Sequence, residues 1–288
     1  MPKPIMVSCD SACDLSEEMR QRYAIQVTSM YIHQDGKVFR DGIDITPDDI
    51  YATYDEKGVL PTTSAIPPEE YREFFEQYTS RGFAVLHIGL SSGISSTCQD
   101  AMIAASELED VYVVDSQALS CSGGLLAIEA CRMRDEGMDI HEVYGAISAL
   151  VDRTNTSFIV AKLTYLAKGG RCSTATALGA NILGIKPAIE MAGGTLSVGK
   201  KYRGKTPDAF EKFLRDKLNL ARQEGDGGIA CVYHAGIDQE LFDRLVEITR
   251  ESGIFREVIT ARAGSIISSH CGAETIGFTF QKKQEGLV

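Results

Sequence analysis

The sequence is short of basic residues for its length. Its 288 residues include 29 lysines and arginines against 40 aspartates and glutamates, which leaves a formal net charge of −11 at pH 7. Nucleic-acid-binding proteins need a basic surface, and anionic membrane surfaces repel an acidic chain, so the composition argues against both partners. An anionic small molecule remains compatible with this charge where a few cationic or backbone N–H groups are gathered locally.

Long apolar runs are also missing. No stretch approaches the roughly 18 apolar residues needed to cross a bilayer, which argues against stable membrane insertion. The first residues, MPKPIMVSCD, are typical of a short buried strand, and no apolar segment with a cleavage site follows them as in a signal peptide. We therefore expect a cytoplasmic protein.

Cysteines at metal-binding spacing are absent. The eight cysteines are scattered, with no CxxC motif and no cysteine and histidine pair at zinc spacing. In a chain without a signal peptide we expect them to be free, mostly buried thiols. Hydrophobic residues make up 44% of the sequence, enough for a sizeable core, and the length suggests about two domains.

The first half of the chain alternates short apolar runs with helical patterns. Strands are predicted at residues 4–9, 25–31, 83–88 and 111–115, with a hairpin turn at Asp35-Gly36. Helices are predicted from Ser16, from the Thr46-Pro47 cap, from Pro68, and over residues 97–108, 122–136 and 139–152. Such alternation predicts βαβ units and a parallel sheet.

The second half follows a different pattern. Strands are predicted at residues 158–162, 185–190, 196–200, 229–233, 257–261, 265–267 and 275–280, and helices from Pro207 and Asp238. The Gly193-Gly194 pair predicts a hairpin turn. The fold class is therefore α/β with two lobes: residues 1–155 form an N-terminal parallel-sheet lobe, and residues 156–288 form a C-terminal mixed-sheet α+β lobe.

A loop rich in hydroxyl groups follows the predicted strand at residues 83–88. Residues 91–97 (SSGISST) place five hydroxyl side chains at the carboxyl end of a parallel strand, where open α/β sheets bind ligands. Ser96 with Gln99 fits a capping box, and a helix N-terminus attracts anions. The loop predicts an anion site, and a polar loop with an ordinary helix cap is the alternative.

The same loop contains the Gly-x-Ser-x-Gly pattern of a hydrolase nucleophile elbow. The pattern is formed by Gly89, Leu90, Ser91, Ser92 and Gly93. Ser91 could pair with Asp115 and with either His234 or His270, in the chain order Ser, Asp, His. In an elbow the helix starts almost at the nucleophile, whereas several residues intervene here. A serine hydrolase or esterase is the alternative function.

Three further segments suit a binding site. Residues 61–67 (PTTSAIP) hold hydroxyls between prolines, which favours either a stiff carboxylate-binding loop or a helix-entry loop. Residues 168–171 (KGGR) form a cationic turn without the spacing of a phosphate loop. Residues 200–205 (KKYRGK) favour either a solvated turn or a patch that docks a nucleotide-bearing partner.

Several segments, taken in order along nearly the whole chain, resemble the DegV family. They are DSACDL at residues 10–15, TS at 63–64, ISST at 94–97, VDS at 114–116, YLAKGGR at 165–171, IKP at 185–187, KYRG at 201–204 and HCG at 270–272. Members of that family bind fatty acids, and in the characterised bacterial systems they are the acyl-binding subunit of fatty acid kinase.

The resemblance implies a lipid-binding carrier that is not itself an enzyme. A long-chain fatty acid would lie in a cleft between the two lobes, with no other cofactor and no metal. Its carboxylate would be presented to the ATP-binding subunit of a fatty acid kinase. The family's carboxylate-binding hydroxyls fall on Thr63 and Ser95, and we include the neighbouring Ser64 and Ser96 in the candidate site.

The family's arginines and histidine near the head group and the docking face also have counterparts. They fall on Arg171 and His270, expected at the ligand, and on Arg203, expected to face the partner or the phosphate. This chain departs from the family pattern Leu-Ser-Gly-Thr-Tyr at residue 96, where Ser96 adds a side chain. It also has Gly272-Ala273-Glu274 where the family has a Gly-Pro-Gly turn one residue after the histidine.

Overall fold

The computed structural model describes residues 3–178 and 184–284. A 3-10 turn (Ser11–Cys13) follows the first strand. The other elements before residue 153 are β1 (Ile5–Asp10), α1 (Glu17–Tyr23), β2 (Gln26–Thr28), β3 (Tyr31–Gln34), β4 (Lys37–Arg40), α2 (Pro47–Lys57), β5 (Thr62–Ser64), α3 (Pro68–Thr79), β6 (Ala84–Gly89), α4 (Thr97–Ser106), β7 (Val111–Asp115), α5 (Cys121–Asp135) and α6 (Ile140–Val151).

Four parallel strands form the main sheet of this part, in the order β2-β1-β6-β7. Every residue of β1 and β6 is buried, because helices cover both faces of the sheet. Phe75 and Cys98 of α3 and α4 pack on one face, and Leu125 and Val143 of α5 and α6 pack on the other. The structure thus confirms the parallel α/β arrangement that the continuous apolar runs predicted.

A small antiparallel sheet, in the order β4-β3-β5, lies beside the parallel one. Asp35 and Gly36 form the β3–β4 turn with φ of 53° and 73°, which confirms the predicted hairpin. The single strand predicted over residues 25–31 is wrong. The chain leaves the parallel sheet after β2 and enters the small sheet at β3, so Ile25 and Tyr31 belong to different layers.

The later elements begin with a strand at Thr154. They are β8 (Thr154–Val160), α7 (Thr164–Gly169), α8 (Ser173–Leu178), β9 (Ile185–Ala192), β10 (Thr195–Arg203), α9 (Thr206–Glu224), β11 (Gly225–Ala235), α10 (Gln239–Glu251), β12 (Glu257–Arg262), α11 (Ser265–Cys271) and β13 (Thr275–Lys282).

Six of these strands form one mixed sheet, in the order β10-β9-β8-β13-β11-β12. Only β11 and β12 pair in parallel within it. Phe210 and Phe213 of α9 and Leu245 of α10 cover the outer face. The inner face packs against α5, which lies between the mixed sheet and the parallel sheet. The division of the chain at residue 155 stays a prediction.

The strand predicted at residues 265–267 is wrong, since these residues open helix α11. The N–H groups of Gly264 and Ser265 donate to the carboxylates of Asp14 and Asp41, each at 2.8 Å. These distant side chains satisfy the free N–H groups at the start of the helix. Local sequence cannot reveal that support, whereas the isoleucines at 266 and 267 favour a strand by propensity.

All eight cysteines lie in the described part of the chain, where they are free and buried as predicted. Among the helices of residues 3–178 and 184–284, none combines the length and the apolar character needed to cross a bilayer.

Candidate ligand-binding site

A mostly apolar cavity lies between the carboxyl ends of the parallel strands, the small sheet and the inner face of the mixed sheet. It contains about 700 Å³ of space between atoms, its mouth included. Its apolar lining comes from both halves of the chain: Met30, Leu90, Ile94, Leu119, Phe158, Leu166, Leu196, Ala263, Ile266 and Ile267. Pockets of this character bind small molecules with a large apolar part.

Four of the polar side chains that line the cavity are predicted site residues: Thr63, Ser95, Arg171 and His270. Thr63 comes from β5, Ser95 from the loop between β6 and α4, and His270 from α11. Arg171 follows α7, and its Nη1 donates to the backbone oxygen of Gly169 at 2.8 Å. The structure therefore gathers hydroxyls, a cation and an imidazole along the wall of an apolar cavity.

Ser95 lies two residues before the first residue of α4, the helix that follows β6. Its Oγ accepts a hydrogen bond of 3.3 Å from the N–H of Thr97, the first residue of α4. The predicted capping box of Ser96 and Gln99 is wrong, because Ser96 is exposed, has helical dihedral angles and directs its Oγ to Asp100 at 3.1 Å. The side chain of Ser96 is thus engaged outside the cavity lining.

Thr63 and His270 form a hydrogen-bonded pair across 207 residues of sequence, with Oγ1 and Nε2 at 2.8 Å. The other ring nitrogen of His270 faces Gly169, where an added Cβ would lie 2.6 Å from Nδ1. Burial lowers the pKa of His270 to about 4, and the positive charge of Arg171 acts in the same direction. The imidazole is therefore neutral at pH 7.

Ser64 and Arg203 lie elsewhere. Adjacent residues of a strand face opposite sides, so Ser64 points away from Thr63 and its Oγ pairs with His33 Nε2 at 2.8 Å. Arg203 is the exposed last residue of β10 and does not line the cavity. Among the predicted site residues, Ser64, Ser96 and Arg203 thus have no place at the cavity wall.

The turn after His270 packs closely against the ring of Tyr165. Gly272 adopts φ of 72°, and an added Cβ would lie 2.6 Å from the Tyr165 ring. Glu274, where the sequence departs from the family pattern, pairs with Lys162 at 3.3 Å. The altered turn therefore packs closely against Tyr165 at Gly272 and carries an exposed ion pair at Glu274.

The hydrolase geometry is contradicted by the surroundings of Ser91. Ser91 is fully buried and its Oγ donates to the backbone oxygen of Gly194 at 2.7 Å. Asp115 accepts hydrogen bonds from the N–H and Oγ of Ser92 and from the N–H of Gln117, and His234 packs against Phe242 with ring centroids 4.3 Å apart. Since α4 begins only at Thr97, the loop lacks the strand-to-helix turn of a nucleophile elbow.

The two glycines of that pattern have a packing role instead. An added Cβ on Gly89 would lie 2.7 Å from the sulfur of Cys98, and one on Gly93 would lie 2.3 Å from the oxygen of Gly194. Both positions therefore need glycine because another part of the protein approaches closely. The motif marks where the loop after β6 meets the β9–β10 hairpin.

Sequence reasoning missed most of the apolar wall. Met30 lies between two strands of different sheets, Leu196 lies on an edge strand, and Ile266 lies in a helix where local sequence predicts a strand. Each is one apolar residue among many, so nothing in its local sequence marks it as a cavity residue.

Comparison with known proteins identifies the family. A family model described as an uncharacterised protein of the DegV family matches residues 4–283. The chain belongs to the DegV family. A DegV domain-containing protein of Caldanaerobacter subterraneus is 30% identical over 283 residues, which cover 97% of this chain and 99% of that one.

Two solved structures share the fold of this DegV chain. A DegV family protein of Thermus thermophilus that binds fatty acid is 28% identical, with a TM-score of 0.88 over 98% of this chain and 100% of its own. A stearic-acid-binding protein of Eubacterium ventriosum is 25% identical, with a TM-score of 0.85 over 98% and 99%. The two-lobe α/β fold is thus that of the family.

Proposed function

We propose that this DegV protein binds one long-chain fatty acid, with the acyl chain in the apolar cavity and the carboxylate at Thr63, Ser95, His270 and Arg171. The observation that carries the proposal is the meeting of these four polar side chains with a mostly apolar wall. The similarity to the fatty-acid-binding protein of Thermus thermophilus and the stearic-acid-binding protein of Eubacterium ventriosum supports the same ligand class.

The carboxylate would be bound mainly by neutral donors. A neutral His270 with its proton on Nε2 donates to Thr63 Oγ1, which leaves the hydroxyl proton of Thr63 for the ligand. Ser95 supplies a second hydroxyl beside the N-terminus of α4, whose N–H groups favour an anion. Arg171 adds the single formal positive charge of this set.

The acyl chain and the carboxylate would contribute differently. Burying about fourteen methylenes of a sixteen-carbon acid is worth roughly 11 kcal/mol before the costs of ordering the chain. Each hydrogen bond to the carboxylate adds about 1.5–3 kcal/mol. The tail therefore sets the affinity, and Thr63 and Ser95 set the orientation of the head group.

We further propose that the protein is a carrier without catalysis of its own. It would present the carboxylate to the ATP-binding subunit of a fatty acid kinase, which supplies the nucleotide and its metal ions for transfer of the phosphoryl group to give an acyl-phosphate. Arg203, exposed at the end of β10, would face this partner or the phosphate.

Ligand identity tests the first proposal. Native mass spectrometry of the purified protein should show a bound long-chain fatty acid, and the double variant Thr63→Ala with Ser95→Ala should bind palmitic acid at least tenfold more weakly. Thr62→Ala is the matched control, since Thr62 is exposed on the same strand and does not line the cavity. Unchanged affinity of the double variant would refute the head-group assignment.

A coupled phosphorylation assay tests the carrier proposal. With the ATP-binding subunit present, the loaded protein should yield acyl-phosphate, whereas the protein with ATP alone should yield none. Arg203→Glu should lower the rate with the partner while leaving palmitic acid affinity unchanged, because Arg203 lies outside the cavity lining. Acyl-phosphate formed without the ATP-binding subunit would contradict the carrier role.

A further inference from the structure

A buried carboxylate lies beneath the loop that carries Ser95. Asp10, the last residue of β1, is fully buried. Its Oδ2 accepts the N–H of Leu90 at 2.7 Å, and its Oδ1 accepts the hydroxyl groups of Tyr71 and, at 3.2 Å, of Thr28. Leu90 is the first residue of the loop after β6, so Asp10 fixes the point at which the loop begins.

The same carboxylate also reaches the far end of the loop. The hydroxyl of Tyr71 bridges Asp10 and the Oγ1 of Thr97, which lies 2.8 Å from it. Thr97 is the first residue of α4, and its N–H donates to Ser95 Oγ at 3.3 Å. One buried group thus holds both ends of the segment that presents Ser95 to the cavity.

The electrostatic surroundings keep this group charged. Burial raises the pKa of Asp10, but His87, whose Nε2 lies 3.3 Å from Oδ1, and the hydrogen bonds from Tyr71 and Leu90 hold the pKa below its usual value. A fully buried, ionised carboxylate is costly to fold unless its partners stay in place. This arrangement therefore allows the loop little freedom at either end.

We infer that Asp10 and Tyr71 are positioning residues that hold Ser95 and the N-terminus of α4 at the angle required by a carboxylate in the cavity. The inference rests on the proposed function and adds to it the part of the fold that orients the head-group site. Neither side chain lines the cavity, so both act on the ligand through the loop. Pre-organised donors of this kind raise affinity because little order is lost on binding.

The test compares two ligands that differ only in the head group. Palmitic acid and 1-hexadecanol have the same chain length, so the ratio of their dissociation constants reports the head-group site alone. Tyr71→Phe removes the bridging hydroxyl and keeps the ring, which stacks on Phe75 at 5.7 Å. We expect this variant to bind palmitic acid about fivefold more weakly, the effect of one hydrogen bond, and to bind hexadecanol within twofold of the wild-type value.

Tyr202→Phe is the matched control. Its hydroxyl also donates to a carboxylate, that of Asp216 at 2.8 Å, on the outer face of the mixed sheet. Neither affinity should change in this variant. Thr97→Val provides a second test should Tyr71→Phe fold poorly, because it removes the hydrogen bond between Thr97 Oγ1 and the Tyr71 hydroxyl and leaves the bond from Tyr71 to Asp10 in place. The same selective loss is expected.

The outcomes separate the two proposals. An equal loss for both ligands, or no loss for palmitic acid, would overturn the positioning role while leaving the fatty acid site intact. A wild-type protein that does not prefer the acid over the alcohol would overturn the head-group assignment and the positioning role together.

Discussion

Ser91 and Gly194 join the two halves of the chain beside the cavity through a hydrogen bond of 2.7 Å from the serine hydroxyl to the backbone oxygen. Ser91 belongs to the loop after β6, and Gly194 belongs to the turn between β9 and β10. Their neighbours Leu90 and Leu196 line the cavity. The contact therefore holds the β9–β10 hairpin against the loop next to two residues of the cavity lining.

Ser91→Ala should accelerate ligand release. The variant removes one hydrogen bond between the halves, worth about 1 kcal/mol, so we expect release of a fluorescent fatty acid to be roughly fivefold faster in stopped-flow measurements. Ser92→Ala is the control, because Ser92 bonds to Asp115 within the N-terminal part. Equal release rates in wild type and Ser91→Ala would show that this bond does not limit ligand exchange.

Ser91 should also be chemically inert. Its hydroxyl is buried and donates to a backbone oxygen, so no general base activates it. A fluorophosphonate probe at pH 7 should leave the intact mass of the protein unchanged. Stoichiometric labelling of Ser91 would restore the hydrolase hypothesis.

Gly93→Ala should destabilise the protein because the new methyl group would lie 2.3 Å from the oxygen of Gly194. Relief requires a backbone shift, and overpacking of this kind costs about 1–3 kcal/mol. Urea unfolding measures the loss. Gly145→Ala is the contrasting variant: Gly145 lies in α6 with open space around it, so alanine should stabilise the helix by about 0.5–1 kcal/mol. An unchanged free energy of unfolding in Gly93→Ala would contradict the close approach of Gly194.

The neutral state of His270 predicts a loss of stability in acid. Its pKa is lowered from 6.5 to about 4, so the unfolded chain takes up the proton more readily than the folded one. The stabilisation is present above pH 6.5 and is lost as the pH falls toward 4, on the order of 3 kcal/mol in total. The free energy of unfolding of the wild type relative to His270→Gln should fall by this order between pH 7 and pH 4. If the difference in the free energy of unfolding between wild type and His270→Gln did not change with pH, the lowered pKa of His270 would be contradicted.

Asp14 predicts the opposite trend. Burial raises the pKa of Asp14 well above 3.8, and the negative charge of the nearby Asp41 raises it further. The hydrogen bonds from Ser120 and Gly264 lower this pKa but do not offset the effect of burial. The folded protein therefore binds this proton more tightly than the unfolded chain does. The wild type should gain stability relative to Asp14→Asn as the pH falls from the raised pKa to below 3.8. Urea titrations across this range measure the difference, and a decrease on acidification would refute it.

The start of α2 and the two tight turns could be predicted because their signals are local. Thr46, Pro47 and Asp49 form the expected cap of α2, with a reciprocal capping box between Thr46 and Asp49. Gly193 and Gly194 form the β9–β10 turn with φ of 54° and 75°. In each case a few adjacent residues determine the backbone conformation, so neighbouring sequence is sufficient.

The site could be predicted only in part because its remaining features depend on distant contacts. Ser95 and Thr63 stand out as hydroxyl clusters, but the bond from Thr63 to His270 spans 207 residues. The link from Asp10 through Tyr71 to Thr97 likewise joins separate elements. No local pattern shows that these side chains meet, or that Ser91 is engaged by the hairpin.

The position of β13 has a consequence for synthesis on the ribosome. β13 lies between β8 and β11, pairs with both, and is the last strand to be made among the six of the mixed sheet. Until it emerges, β8 and β11 have no shared partner and the inner wall with Phe158 and Tyr233 cannot close. Ligand capture by a nascent chain should therefore begin only after β13 has been translated.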